Sequence, residues 1–133
     1  SALAGFELAV ASPARYRPNR GIVESARAAG GRVKIVTDPR EAARDADALY
    51  TDVWVPLGEE EERAARLAAF RGYTVDEGLL SLASDRAVVL HCLPAHRGEE
   101  ITDEVLEGTR SMVWDQAENR LHTEKALLAA LLG

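Results

Sequence analysis

The stretch Ala87-Val88-Val89-Leu90-His91-Cys92-Leu93-Pro94-Ala95-His96-Arg97-Gly98-Glu99-Glu100 decides how this chain is read. Ala87 to Leu90 is short, continuous and rich in β-branched residues, as a buried strand is, and Pro94 ends it because proline has no N–H to give a ladder. The loop that follows gathers a thiol, two imidazoles, a guanidinium and two carboxylates at a strand's carboxyl end. In open α/β sheets ligands sit at that edge, because the loops there converge on a crevice.

Working outward, Ile101 to Gly108 reads as a short helix with Thr102 as its cap, acids in its first turn and Gly108 as its stop. Upstream, Phe6 to Ala11 predicts a first strand and Gly21 to Ala29 a helix ended by Gly30-Gly31. Arg32 to Thr37 alternates polar and apolar residues as a half-covered strand does. Asp38-Pro39 starts a helix, with Asp38 as N-cap and Pro39 in the first turn. Ala48 to Thr51 returns as a strand, ending at Asp52-Val53-Trp54-Val55-Pro56-Leu57-Gly58. Glu59 to Phe70 predicts a helix with four acids in its first turn facing water and Leu67, Ala68 and Phe70 toward the core. Val75 to Ser81 predicts a short helix, Ser111 to Trp114 the last strand, and Ala117 to Leu132 a closing helix with a stripe through Leu121, Lys125, Leu128 and Leu132. This alternation predicts an α/β, doubly wound, mainly parallel sheet of about five strands flanked by helices. If the sheet is parallel, Asp52 and Cys92 face one crevice.

At 133 residues, 47% hydrophobic and 29% charged with a formal net charge of -6, the chain fits one domain, residues 1–133. A chain of this size is expected to bury roughly two thirds of its unfolded surface. No basic stripe tracks a phosphate backbone, so nucleic acid is excluded as a partner. One cysteine cannot form an internal disulfide, and no apolar span suits a membrane, which together predict a reducing, cytoplasmic setting. No G-x-G-x-x-G follows the first strand and no Walker-type lysine motif is present, so no nucleotide cofactor is expected. The three histidines have no metal-site spacing, and no metal is expected. Ser1 to Gly5 reads as the last turn of a helix, Gly5 at its C-cap, in a piece of a longer protein.

The run from His91 through Arg97-Gly98 to Ile101-Thr102-Asp103-Glu104 resembles the HCLP signature of ornithine carbamoyltransferases, and Asp115 to His122 resembles their second carboxyl-terminal signature. The resemblance spans the chain and corresponds to the family's amino-acid-binding half, with the carbamoyl-phosphate domain absent. It implies transfer of the carbamoyl group of carbamoyl phosphate to the δ-amine of ornithine, without a cofactor, in a homotrimer once the amino-terminal domain is present. Asp52 would bind and orient the ammonium and accept or relay its proton, and Cys92 would help favour the neutral amine. The carbonyls of Cys92 and Leu93 would accept hydrogen bonds from the carbamoyl NH2 group, across a cis Leu93-Pro94 bond. Arg120, expected in the first turn of the last helix, would meet phosphate or a developing oxyanion. His91 reads as a hydrogen-bonded core residue, with Arg97 and Glu99 tethering the loop.

The family's Asp-x-Trp-x-Ser-Met-Gly loop stands here as Asp52-Val53-Trp54-Val55-Pro56-Leu57-Gly58. Leu57 keeps the bulk of methionine, but Pro56 brings neither hydroxyl nor N–H to the acceptor's α-amino or α-carboxylate group. A paralogue acting on a related amine, or a noncatalytic domain kept for ligand binding or assembly, therefore stands beside the first reading. The isolated chain is expected to have no carbamoyl transfer of its own.

Overall fold

The computed structural model covers residues 1–133 and contains four strands in two parallel pairs. β1 (Glu7–Ala11) pairs with β2 (Arg32–Val36) across helix α1 (Arg20–Ala28). The side chain of Asn19 caps α1, accepting from the N–H groups of Gly21 and Ile22 at 2.9 and 3.3 Å. After β2, Asp38 accepts from Arg40 N–H at 2.9 Å and starts α2 (Pro39–Ala43), with proline in the first turn as expected.

β3 (Ala48–Thr51) pairs with β4 (Val88–His91) across α3 (Arg63–Ala69) and α4 (Glu77–Leu80). Both pairs are strand–helix–strand units, the α/β arrangement that the alternation predicts. Downstream lie α5 (Asp103–Leu106), capped by Thr102 on Val105 N–H, and α6 (Val113–Leu132). Residues 2–5 form a turn rather than a regular helix, closed by Gly5 N–H on Ser1 O at 2.8 Å with Gly5 at φ 74°.

The fifth strand does not form. Ser111 makes a single parallel bridge to Val89, through Val89 N–H on Arg110 O and Met112 N–H on Val89 O, both 2.9 Å. The carbonyl of Met112 then accepts from Gln116 N–H at 2.9 Å, and the chain turns into α6 at Val113 instead of extending the ladder. The helix expected over 59–70 likewise begins as a 3-10 turn, Glu60–Glu62, before α3.

One buried cluster holds the β3–β4 half together. Leu49 and Val89 point into it beside Ala43, Leu80, Ile101, Val105, Leu106 and Val113. Apart from Ile101, which precedes α5, these apolar side chains come from α2, α4, α5 and the first residue of α6, so the helices dock on one face of the strand pair. Elsewhere the covering is thin. The accessible surface is 9069 Å², against about 6,800 Å² for a typical folded monomer of this mass, so roughly 57% of the unfolded surface is buried rather than two thirds. The stripe on α6 accounts for part of the difference: Leu121, Leu128 and Leu132 are exposed, and Val113 alone of that helix is buried. Ala68 of α3 is exposed too, while Leu67 and Phe70 are half-buried. No helix is long and apolar enough to cross a membrane.

Candidate functional site at the ends of two parallel strands

The β3–β4 register pairs Thr51 with His91, and one step further along the parallel strands lie Asp52 and Cys92. Their side chains meet: Cys92 Sγ donates to Asp52 Oδ1 at 3.0 Å. The same oxygen accepts Val53 N–H at 2.7 Å. Both donors therefore converge on Oδ1. Burial first, then the hydrogen bond from the thiol to Asp52 and the negative charge of that carboxylate, push the Cys92 thiol above its ordinary pKa, against a smaller opposing pull from the backbone N–H of Cys92 and then from Tyr50. Cys92 is thus a protonated donor at neutral pH, not a nucleophile.

Behind Cys92 the loop is fixed by a buried polar pair. His91 and Glu100 are both sealed from solvent, with Nε2 and Oε1 3.1 Å apart, and His91 Nδ1 accepts Leu93 N–H at 2.8 Å. Oε1 of Glu100 also takes His96 N–H at 2.6 Å. His91 is accordingly the hydrogen-bonded core histidine that its position predicts. Leu93 sits at φ 57°, and the Leu93-Pro94 bond is cis. Arg97 pairs with Asp103 and Glu107, and Glu99 with Arg63, which ties the loop to α5 and α3. His96, Glu99 and Glu100 bring possible ligand atoms within 4.8 Å of one another. Arg63 pairs with Glu99 and two N–H groups with Oε1 of Glu100, while Oε2 of Glu100 is buried without a hydrogen-bond partner.

Arg120 reaches the site from α6. Its Nη1 lies 3.4 Å from Cys92 O, a long hydrogen bond, and the side chain borders an open crevice of about 610 Å³ shared with Val88, Leu90, Met112, Gln116 and Asn119. Because α6 begins at Val113, Arg120 stands two turns into the helix rather than in its first turn. The helix N-terminus therefore adds nothing to its charge, since that field fades within a turn. The guanidinium acts alone.

The Asp52 loop is clamped from α3. Arg66 pairs with Glu59 and with Glu62, reaches Trp54 O at 3.4 Å, and lies over the Tyr16 ring at 4.8 Å. Two of the four acids that were expected to face water hold this arginine instead. Trp54 stacks on Phe70 with ring centroids 5.6 Å apart. Pro56 and Leu57 follow this clamped segment and are exposed, Leu57 at 96%.

Two residues at the site were passed over in the sequence. Gln116 accepts His91 N–H at 3.1 Å and donates to Tyr50 hydroxyl at 3.0 Å. Tyr50 lies two residues before Asp52, on the same side of a strand, and that spacing was the available signal. Gln116 stood inside the second signature, but a helix expected to start at Ala117 left it outside.

A parallel strand pair carries a carboxylate and a thiol joined at its carboxyl end, with an arginine from the last helix reaching the same loop, in an α/β domain. The chain belongs to the aspartate/ornithine carbamoyltransferase family, matching its Asp/Orn binding domain over residues 1–131. It is 68% identical over 132 residues to the ornithine carbamoyltransferase of Methanoculleus marisnigri, covering 99% of this chain and 43% of that protein. The ornithine carbamoyltransferase structure from Gloeobacter violaceus superposes with a TM-score of 0.86 at 50% identity, over 99% of this chain and 45% of that one. The anabolic enzyme from Campylobacter jejuni gives 0.91 at 38% identity, over 98% and 44%. The chain thus spans less than half the length of the relatives it matches.

Proposed function

We propose that this chain is the amino-acid-binding domain of an ornithine carbamoyltransferase, which carbamoylates the δ-amine of ornithine to give citrulline and phosphate in arginine metabolism. The observation that carries the reading is the Asp52–Cys92 hydrogen bond at 3.0 Å. It occupies one carboxylate oxygen and leaves Oδ2 with no protein donor among the hydrogen bonds formed. An incoming ammonium finds its acceptor there.

The chemistry requires that ammonium to lose a proton. At neutral pH only on the order of one free alkyl amine in a thousand is neutral, a deficit of about 4 kcal/mol. Asp52 orients the cation and accepts or relays the proton. The uncharged Cys92 thiol adds a dipole and no second negative charge, so it does not stabilise the cation further. The amine nitrogen then bonds to the carbamoyl carbon and the bond from that carbon to the phosphate oxygen breaks. Arg120 meets the charge on the departing phosphate or on the developing oxyanion, and the carbonyls of Cys92 and Leu93 hold the carbamoyl NH2 group. A second, amino-terminal domain grips carbamoyl phosphate, the assembled protein is a trimer, and it works in the cytoplasm without a cofactor.

Pro56 favours a second reading, in which the acceptor is a related amine or the domain binds ligand without catalysis. Titrating the isotopically labelled chain with ornithine, aspartate and simple diamines separates these readings. Ornithine should shift the amide signals of Val53 and Leu93, aspartate should not, and Asp52→Asn should abolish the shifts. Equal shifts with aspartate, or none with any amine, would overturn the assignment of the acceptor.

A further inference from the structure

Glu100 is the chain's single fully buried acid, and no lysine or arginine pairs with it. Its Oε1 takes the His91 ring N–H and the His96 backbone N–H, at 3.1 and 2.6 Å. His91 is the neutral tautomer in this arrangement, since Nδ1 accepts Leu93 N–H. Oε2 is buried without a hydrogen-bond partner. A buried carboxylate is ordinarily paired with a charge or bound to a metal ion, because burying it bare is costly. The imidazole of His96 faces Oε2 with Nδ1 at 3.9 Å, too far for a hydrogen bond between them.

We propose that Glu100 Oε2, His96 Nδ1 and a carboxylate oxygen of Glu99 form a site for a zinc-like divalent cation, on the turn that follows the Cys92 loop. Their possible ligand atoms lie within 4.8 Å of one another. Two ligand atoms about 2.1 Å from a tetrahedral ion stand roughly 3.4 Å apart, so the 3.9 Å gap closes with a small side-chain rotation. One imidazole and two carboxylates leave a fourth position for water. The nitrogen favours zinc over magnesium or calcium, which take oxygen ligands. The turn supplies the spacing: Glu99 N–H donates to His96 O at 3.0 Å and Gly98 N–H to Ile101 O at 2.9 Å, with Gly98 at φ 82°. The three histidines have no metal-site spacing among themselves, but this site uses only one of them.

Solvent reaches the site past His96, whose side chain is 46% exposed, and Glu99, at 22%. Arg63 bonds Oε1 of Glu99, which leaves the other oxygen for the ion. The buried Oε2 is the anchor. An ion there neutralises Glu100 and fastens the turn to the end of β4, because Oε1 of the same carboxyl group holds His91 and the His96 backbone. It is a clamp behind the loop and takes no part in the transfer reaction. The site shares no residue with the Asp52–Cys92 pair and does not depend on the identity of the acceptor.

Zinc chloride titrated into the metal-free, isotopically labelled chain should move the His96 ring signals and the amides of Gly98 to Ile101 at micromolar levels and raise the thermal midpoint. Magnesium and calcium should do neither. His96→Ala keeps the backbone N–H that Glu100 holds, so the turn stays folded. That variant should weaken zinc by at least about tenfold, since even a group behind a metal ligand is worth that much. Cys92 is the chain's single thiol and the obvious competitor for zinc, so Cys92→Ser should leave the affinity unchanged, and cobalt(II) bound in place of zinc should show no thiolate charge-transfer band. Unchanged affinity in His96→Ala, loss of binding in Cys92→Ser, or no signal shift at millimolar zinc would each overturn the site.

Discussion

Nε2 of His91 and Oε1 of Glu100 meet at 3.1 Å with both side chains sealed from solvent, directly behind the loop that carries Cys92. Because Nδ1 of the same ring accepts Leu93 N–H, Nε2 carries the hydrogen, and the carboxylate oxygen serves that hydrogen and His96 N–H together. Glu100→Ala would leave the buried His91 ring N–H and the part-buried His96 N–H without an acceptor, at about 1–3 kcal/mol for the buried one and less for the other. We expect a loss of about 2–3 kcal/mol in urea unfolding, and less than half of that for Glu100→Gln, which keeps one oxygen. A loss under about 0.5 kcal/mol for the alanine variant would show that water replaces the carboxylate.

Cys92 makes stability depend on alkaline pH. Burial and then Asp52 raise the thiol above its ordinary value, so the folded state holds this proton more tightly than the unfolded chain does. The contribution is fully present below the unfolded thiol's pKa of about 8.5, and it is lost as pH rises through the higher folded value. Tyr73, raised by burial and by the charge of Asp38, acts in the same sense. The stability difference between the native chain and Cys92→Ser should therefore narrow between pH 8 and pH 10. Urea midpoints measured over that range give the answer, and a difference that is constant with pH would contradict it.

Arg66 holds the Asp52 loop against α3 through Trp54 O, two glutamates and the Tyr16 ring. Arg66→Ala removes all four contacts. We expect a destabilisation of about 1–2 kcal/mol and a clear rise in acrylamide quenching of Trp54, read in a Trp114→Phe background. Unchanged quenching would mean that the Trp54–Phe70 stack alone fixes the loop.

The sequence made the strand ends legible because Pro94 and the Asp52 loop interrupt apolar runs, and the cis Leu93-Pro94 bond was expected from the family resemblance. The joining of Asp52 to Cys92 followed once a parallel sheet was assumed, since register does the rest. What stayed hidden depends on hydrogen bonds between distant segments. Whether Met112 gives its carbonyl to a strand or to Gln116 N–H decides where α6 begins, and local propensity does not settle it. That one choice removed the fifth strand, moved Arg120 two turns into the helix, and brought Gln116 to Tyr50. The acids before α3 misled for a similar reason, because Arg66 recruits Glu59 across a turn and not along a helix face.

Pro56 and Leu57 are exposed on the loop that follows Asp52, where they are free to meet an acceptor. Placing the family's serine and methionine in the chain joined to the remainder of the Methanoculleus marisnigri enzyme, Pro56→Ser with Leu57→Met, should tighten ornithine by about three- to tenfold, the worth of one hydrogen bond. The measurement is the ornithine KM at saturating carbamoyl phosphate. Unchanged KM would show that the loop makes its contacts elsewhere.

Carbamoyl transfer itself is the most direct test. The isolated chain should form no citrulline from ornithine and carbamoyl phosphate, because orienting both reactants is worth roughly 7–11 kcal/mol and a half-site forfeits most of it. Joined to the remainder of the Methanoculleus marisnigri enzyme, it should form citrulline, and Asp52→Asn should then lower kcat by about 10²- to 10⁴-fold. No citrulline from the joined protein, or full turnover after Asp52→Asn, would contradict the assignment of this domain as the ornithine-binding half of a carbamoyltransferase.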